Sequence, residues 1–187
     1  MTSQVFSLLI GVGLFALAAV SSALLAYAGA LLLRVERLLR GDSPAPVGLL
    51  LLSASEASAA LLAVAGGEAA YLLYLFSSAS FALGVAYLAW SRRPPRNLVA
   101  VPLLYAGAGD IVAGVSGIYY GLTARGPARI LLTLAGASFL VRLAGLQFLP
   151  SIWGSALLAG GEACRAVALA GLALAYRPGG GWSGGEE

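Results

Sequence analysis

The first 33 residues, Met1 to Leu33, carry no charged side chain. An α-helix rises 1.5 Å per residue, so about 20 apolar residues cross the ~30 Å hydrocarbon of a bilayer. A secretory signal would begin with positive charge and carry a shorter apolar core. The segment is therefore expected to be a transmembrane helix. Nothing in a soluble fold would cover so long an apolar surface.

The rest of the chain repeats the pattern. Of 187 residues, 60% are hydrophobic and 10% charged, with a mean hydropathy of +0.91. A soluble domain carries about 25% charged residues. Breaker clusters divide the sequence: Gly41-Asp42-Ser43-Pro44-Ala45-Pro46, Gly66-Gly67-Glu68, Arg92-Arg93-Pro94-Pro95-Arg96, Arg125-Gly126-Pro127 and Leu149-Pro150-Ser151. Between them, helices are expected over about 5–33, 47–65, 69–90, 98–123, 128–148 and 152–176. The fold class is thus an all-α integral membrane protein without strands, its six helices arranged as three helical hairpins in a single domain, 1–177. The Gly-rich tail, 178–187, is too short to fold.

All eleven basic residues are arginine; a GC-rich genome accounts for that bias. The net charge of +3 comes from arginines in short connections, where they report orientation rather than affinity for nucleic acid. Arg34, Arg37, Arg40, Arg92, Arg93, Arg96 and Arg142 fall on one side of an alternating six-helix path; Arg125, Arg129 and Arg177 fall on the other. This expectation puts both termini outside a cell membrane and the Arg-rich loops in the cytoplasm. Trp90, Tyr119, Tyr120, Trp153 and Tyr176 fall near helix ends, as interface anchors do.

Three acids lie within the apolar spans, each after three small residues: Ser53-Ala54-Ser55-Glu56, Gly107-Ala108-Gly109-Asp110 and Ala159-Gly160-Gly161-Glu162. They recur on the even helices, which suggests a threefold repeat of hairpins at similar depth. A charge at the bilayer centre costs about 2.5–3.5 kcal/mol on insertion scales. It is kept by pairing, by protonation or by lining a wet cavity. Arg142 and Arg165 are the available partners, and Glu162 and Arg165 stand one helical turn apart. Two readings follow. The acids bind protons, cations or the ion that drives a solute, with Ser53, Ser55, Ser58, Tyr105 and Ser116 as supporting oxygens; or the charges are internal glue.

Other chemistry is largely excluded. Gly114-Val115-Ser116-Gly117 is similar to the Gly-x-Ser-Gly element of rhomboid intramembrane proteases, a family that pairs its serine with a histidine on a later helix. This chain has no histidine, so the dyad cannot form. The same absence removes haem and imidazole–metal ligation, and the absence of lysine removes Schiff-base chemistry. A lone cysteine, Cys164, cannot run disulfide exchange. No enzyme activity, cofactor or metal is expected.

Gly117-Ile118-Tyr119-Tyr120-Gly121 is a small-xxx-small element that favours close helix packing. Tyr71, Tyr74 and Phe76 form an aromatic cluster in helix 3. The expected partners are the bilayer and either further copies of the chain or other membrane subunits. The function expected is a small proton or cation transporter or channel, with a non-catalytic subunit of a larger membrane complex as the alternative.

Overall fold

A computed structural model describes residues 2–39, 43–62, 64–90 and 106–176. The described residues form six helices: α1 Thr2–Leu39, α2 Ala45–Leu62, α3 Gly67–Trp90, α4 Ala106–Thr123, α5 Pro127–Gln147 and α6 Ile152–Ala175. Five are long and apolar enough to cross a membrane. The exception, α4, carries Asp110 and five glycines in its described 18 residues. Residues 98–105, expected as its first turns, the 91–97 connection and the tail lie outside the described residues. The basic stretch Arg34–Leu39 continues α1 beyond the apolar span, as its composition suggested.

Each helix packs on its sequence neighbours, and α6 returns to α1, closing a ring. α2 and α6 also touch across its interior. The buried stripe of each helix advances by three and four residues. It reads Ala18, Ser21, Leu25 and Ala28 in α1; Leu49, Leu52, Glu56 and Ala59 in α2; Ser78, Phe81, Val85 and Leu88 in α3; and Ala128, Leu132, Ala135, Phe139 and Arg142 in α5.

Glycines set the closest contacts. Gly48 and Gly84 face each other between α2 and α3, and Gly145 and Gly154 between α5 and α6, each where a Cβ would meet the partner's carbonyl oxygen. Gly117 lies against Gly136, whose Cα would be 2.6 Å from an added Cβ, and Gly121 lies against Thr133. The small-xxx-small element therefore packs α4 on α5. Small residues are needed here because association in lipid draws on close packing rather than on hydrophobic expulsion from water.

Helix directions follow from these contacts. Ser22 pairs with Ser53 while Gly29 meets Pro46 and Leu50, so α1 and α2 are antiparallel. Ser55 with Ser77 and Gly48 with Gly84 make α2 and α3 antiparallel. The same test makes α4–α5 and α5–α6 antiparallel. The α3–α4 pair differs from the hairpin expected. Gly109 lies against Ser78, and an added Cβ at Gly117 would be 3.0 Å from the Phe81 ring. Antiparallel helices would separate Phe81 and Gly117 by about 16 Å along the axis, beyond the reach of a phenylalanine. On α5, Arg142 meets Ser78 and Phe139 meets Phe81, the same sense of progression. So α3 and α4 run in the same direction.

The ring is thus two three-helix units, α1–α3 and α4–α6, each running up, down and up in the same orientation. One end of the bundle gathers the C-terminal ends of α1, α3, α4 and α6 and the N-terminal ends of α2 and α5. Among the described residues, Arg34, Arg37, Arg125 and Arg129 all lie at that end. Glu68 lies at the opposite end. Trp90 and Tyr119 are exposed near the arginine end and Trp153 near the other.

The glycine contacts make a graded prediction. Gly117→Ala should destabilise the detergent-solubilised protein by about 1–3 kcal/mol, the usual range for overpacking. Gly160→Ala, with nothing within 4 Å of the new methyl, should leave the unfolding midpoint unchanged or slightly raised. Equal losses at both positions would remove the packing role assigned to Gly117.

Candidate functional site: a buried ionic chain

All five ionisable residues singled out within the spans meet in one connected chain. Its order is Asp110, Arg142, Glu162, Arg165, Glu56, with charge alternating along it. Arg142 bonds both Asp110 oxygens, with Nε 3.1 Å from Oδ2 and Nη2 on Oδ1. Its Nη1 donates to Glu162 Oε1 at 3.3 Å. Arg165 donates to the same Oε1 through Nη1 at 3.2 Å, and to Oε2 through Nη2. Its Nε then reaches Glu56 Oε1 at 2.5 Å. Glu162 is the bridge, one of its oxygens shared by two guanidiniums.

The fold places these groups by simple means. Glu162 and Arg165 are one turn apart on α6, so their side chains share a face. Arg142 follows Phe139 by three residues on the buried stripe of α5, and Glu56 follows Leu52 by four on that of α2. Asp110 is held next to Ser78 by Gly109, whose missing side chain admits α3. The Asp110 and Glu56 side chains are fully buried, Arg142 and Arg165 nearly so, while Glu162 keeps 22% exposure. Glu162, the middle of the chain, is therefore its most exposed member.

Sequence reasoning missed the groups that complete the site. Tyr74 donates its hydroxyl to Asp110 Oδ2, Ser78 donates to Oδ1 at 2.9 Å, and Arg142 Nη2 donates to Ser78 Oγ at 2.9 Å. The Phe139 ring lies beneath both guanidiniums, 4.6 Å from that of Arg142 and 4.9 Å from that of Arg165, and Tyr74 stacks on Arg142 at 4.3 Å. Desolvated cation–π contacts of this kind are worth about 2 kcal/mol. The signal was present: Tyr74 and Ser78 lie on the three–four stripe that Phe81, Val85 and Leu88 continue.

Other expected oxygens go elsewhere. Ser53 exchanges hydrogen bonds with Ser22, and Ser55 bonds Ser77, so both tie helices together rather than serve the acids. Ser58 donates to its own helix at the Ala54 carbonyl. Ser116 is only partly buried, and Tyr105 lies outside the described residues. The aromatic cluster of α3 divides: Tyr74 turns to Asp110, while Tyr71 and Phe76 are exposed.

Two features matter for chemistry. The chain crosses the seam between the units: Glu56, Tyr74 and Ser78 come from the first, and Asp110, Arg142, Glu162 and Arg165 from the second. It also contains three acids and only two arginines, and Glu56 Oε2 is buried with no hydrogen-bond partner. All three acids sit in the half of the bundle away from the arginine end. Glu56 lies six residues before the end of α2 and Asp110 four after the described start of α4, about 9 and 6 Å along their axes. Among the described residues no group of histidine, cysteine and acids could hold a metal ion.

The chain matches no protein-family model, no curated protein and no solved structure.

Among the described residues, Arg165 is the only partner of Glu56 and one of two for Glu162. Arg165→Met should cost about 3–5 kcal/mol, because it leaves buried charge uncompensated. Adding Glu56→Gln should recover part of that loss, with a coupling of about 0.5–3 kcal/mol in a double-mutant cycle read by thermal unfolding in detergent. Strict additivity would mean that the two side chains do not interact in the membrane protein.

Proposed function

We propose that the chain is a small membrane transporter that moves protons or another monovalent cation, alone or coupled to a solute. The observation that carries this is the surplus acid in an ionic chain that spans the seam between two like-oriented three-helix units. A buried cluster of formal charge −1 is costly in hydrocarbon, and one monovalent cation cancels it. Parallel repeats related by an axis along the membrane normal, with the site at their interface, are an architecture that supports alternating access by motion of one unit against the other. Here such motion would break and remake the contacts of Arg165 with Glu56, and of Asp110 and Arg142 with Tyr74 and Ser78.

The proposed setting is a cell membrane with the arginine end in the cytoplasm. Arg142, counted toward orientation on sequence, is bonded inside the bundle and leaves the tally. With α3 and α4 running the same way, this orientation puts the amino terminus outside and the end of α6 inside, so the expectation of two outside termini is revised for the carboxyl end. In Cys164→Ser protein, Arg125→Cys should react with an impermeant maleimide only from the cytoplasmic face of membrane vesicles, and Glu68→Cys only from the outer face. Labelling of both from one face would reject the arrangement.

A second reading, a non-catalytic subunit of a larger membrane complex, is favoured by α1. Its 38 residues span about 57 Å, against about 27 Å for α2. By the Ser22–Ser53 register its first turns lie beyond the end of α2, with Leu9 and Val12 exposed. One preparation separates the readings. The native assembly is sized after mild extraction, then reconstituted in vesicles with an imposed pH or sodium gradient. A monomer or homo-oligomer that dissipates one gradient, and falls to the protein-free rate on Glu162→Gln with its fold retained, supports transport. Stoichiometric foreign subunits together with no dissipation would sink it and leave the second reading.

A further inference from the structure

The described residues contain two buried side-chain oxygens without a hydrogen-bond partner: Glu56 Oε2 and Ser21 Oγ. Glu56 is 0% and Ser21 1% exposed. Their helices are neighbours, and the register between them is fixed. Ser22 and Ser53 exchange hydrogen bonds of 2.9 Å to each other's carbonyl oxygens. Moving away from that pair in the same direction, Ser21 is one residue along antiparallel α1, and Glu56 is three residues along α2. They therefore differ in depth by about 3 Å. Both lie on the buried stripes of α1 and α2, α6 packs on both helices, and Glu56 meets Arg165 of α6.

We propose that the cation of the ionic chain is a proton carried on Glu56 Oε2, and that the Ser21 hydroxyl, unbonded to it in this structure, takes up the hydrogen bond when the proton is loaded. This rests on the transport reading and names its ion and its site. The donor count selects the ion. A hard metal cation, Na⁺ as much as Mg²⁺ or Ca²⁺, needs a shell of several oxygens, and the other Glu56 oxygen and the two serines before it on α2 are already engaged. Oε1 is bonded to Arg165, Ser53 to Ser22, and Ser55 to Ser77. A proton needs one carboxylate oxygen and one acceptor, and a serine hydroxyl both accepts and donates.

The charged groups around Glu56 support a single exchangeable proton. From α6 it faces Arg165, and through Arg165 it couples to Glu162 and then to Arg142 of α5. The buried stripe of α1 brings no ionisable group, and Tyr74 of α3 is turned to Asp110. With Glu56 ionised the chain carries −1, and with Glu56 protonated it is neutral. The proton comes from water on one side and returns to water on the other, with no covalent bond but O–H formed or broken. Glu162, the partly exposed member, shares Arg165 with Glu56, so protonation at Glu162 frees that arginine to hold Glu56 as a carboxylate. Loading at one acid and release at the other are thereby linked.

Infrared difference spectroscopy of the full chain in lipid, titrated across neutral pH, tests this directly. The wild type should show the C=O stretch of one protonated carboxyl group at neutral pH. Glu56→Gln should abolish that band, Asp110→Asn should leave it, and Ser21→Ala should shift its frequency without removing it. A wild type lacking the band at neutral pH overturns the assignment even if a variant fails to fold. So does a band that survives Glu56→Gln, is displaced by sodium at constant pH, or is unmoved by Ser21→Ala. The two claims fail separately. The band without any dissipation of an imposed gradient leaves the site and removes the transport reading. Sodium-driven flux without the band leaves transport and removes the proton.

Discussion

Hydrocarbon offers a charged side chain no hydration, so each ionised group in the bundle must find its counter-charge within the protein. The contact of Arg165 with Glu56 and Glu162 meets that requirement across the seam between the two three-helix units. Arg165 is fully buried, its guanidinium lies over Phe139, and its donors run from α6 to α2 through the interior of the ring. Arg142 plays the matching part near α3 and α4. Replacing Arg165 with an apolar residue would leave Glu56 without its counter-charge, and replacing Arg142 would do the same to Asp110, while Glu162 would keep the other arginine.

Much of the fold is legible in the sequence because a membrane span has a length that physics fixes. The long uncharged opening run, the Gly/Pro clusters and the arginines between them point to the six helices found, the start of the fourth lying outside the described residues. The packing is less legible for an equally physical reason. A soluble helix advertises its buried face by contrast with a polar one. Here the outward faces meet lipid and are as apolar as the inward ones: Leu72, Val115 and Ile130 are exposed while Leu49, Leu52 and Val85 are buried. The stripes emerge only when small and polar residues are traced at three–four spacing.

The site divides in the same way. Ionisable groups inside apolar spans are conspicuous, so Glu56, Asp110, Glu162, Arg142 and Arg165 stand out from sequence. Their order along the chain does not, because it depends on which helices adjoin. Tyr74 and Ser78 were obscured by ordinariness, as tyrosines and serines abound here. The relative direction of α3 and α4 was beyond sequence reading because alternation is the natural assumption for successive spans. The threefold spacing of the acids is not the symmetry of the packing: α2 is the middle helix of its unit, whereas α4 and α6 flank theirs.

The shared orientation of the two units bears on how such a charge pattern can arise. Glu56 lies six residues before the end of α2 and Arg142 five before the end of α5, so the two middle helices carry opposite charges at comparable places. Two identical three-helix chains related by a twofold axis would carry the same residue at both places, acid facing acid or base facing base. A single chain containing both units escapes that restriction, since each half mutates independently. Covalent linkage of the halves thus does more than hold them together: it permits opposite charges on the middle helices of two like-oriented units, giving the site a direction that a homodimer of one unit could not have.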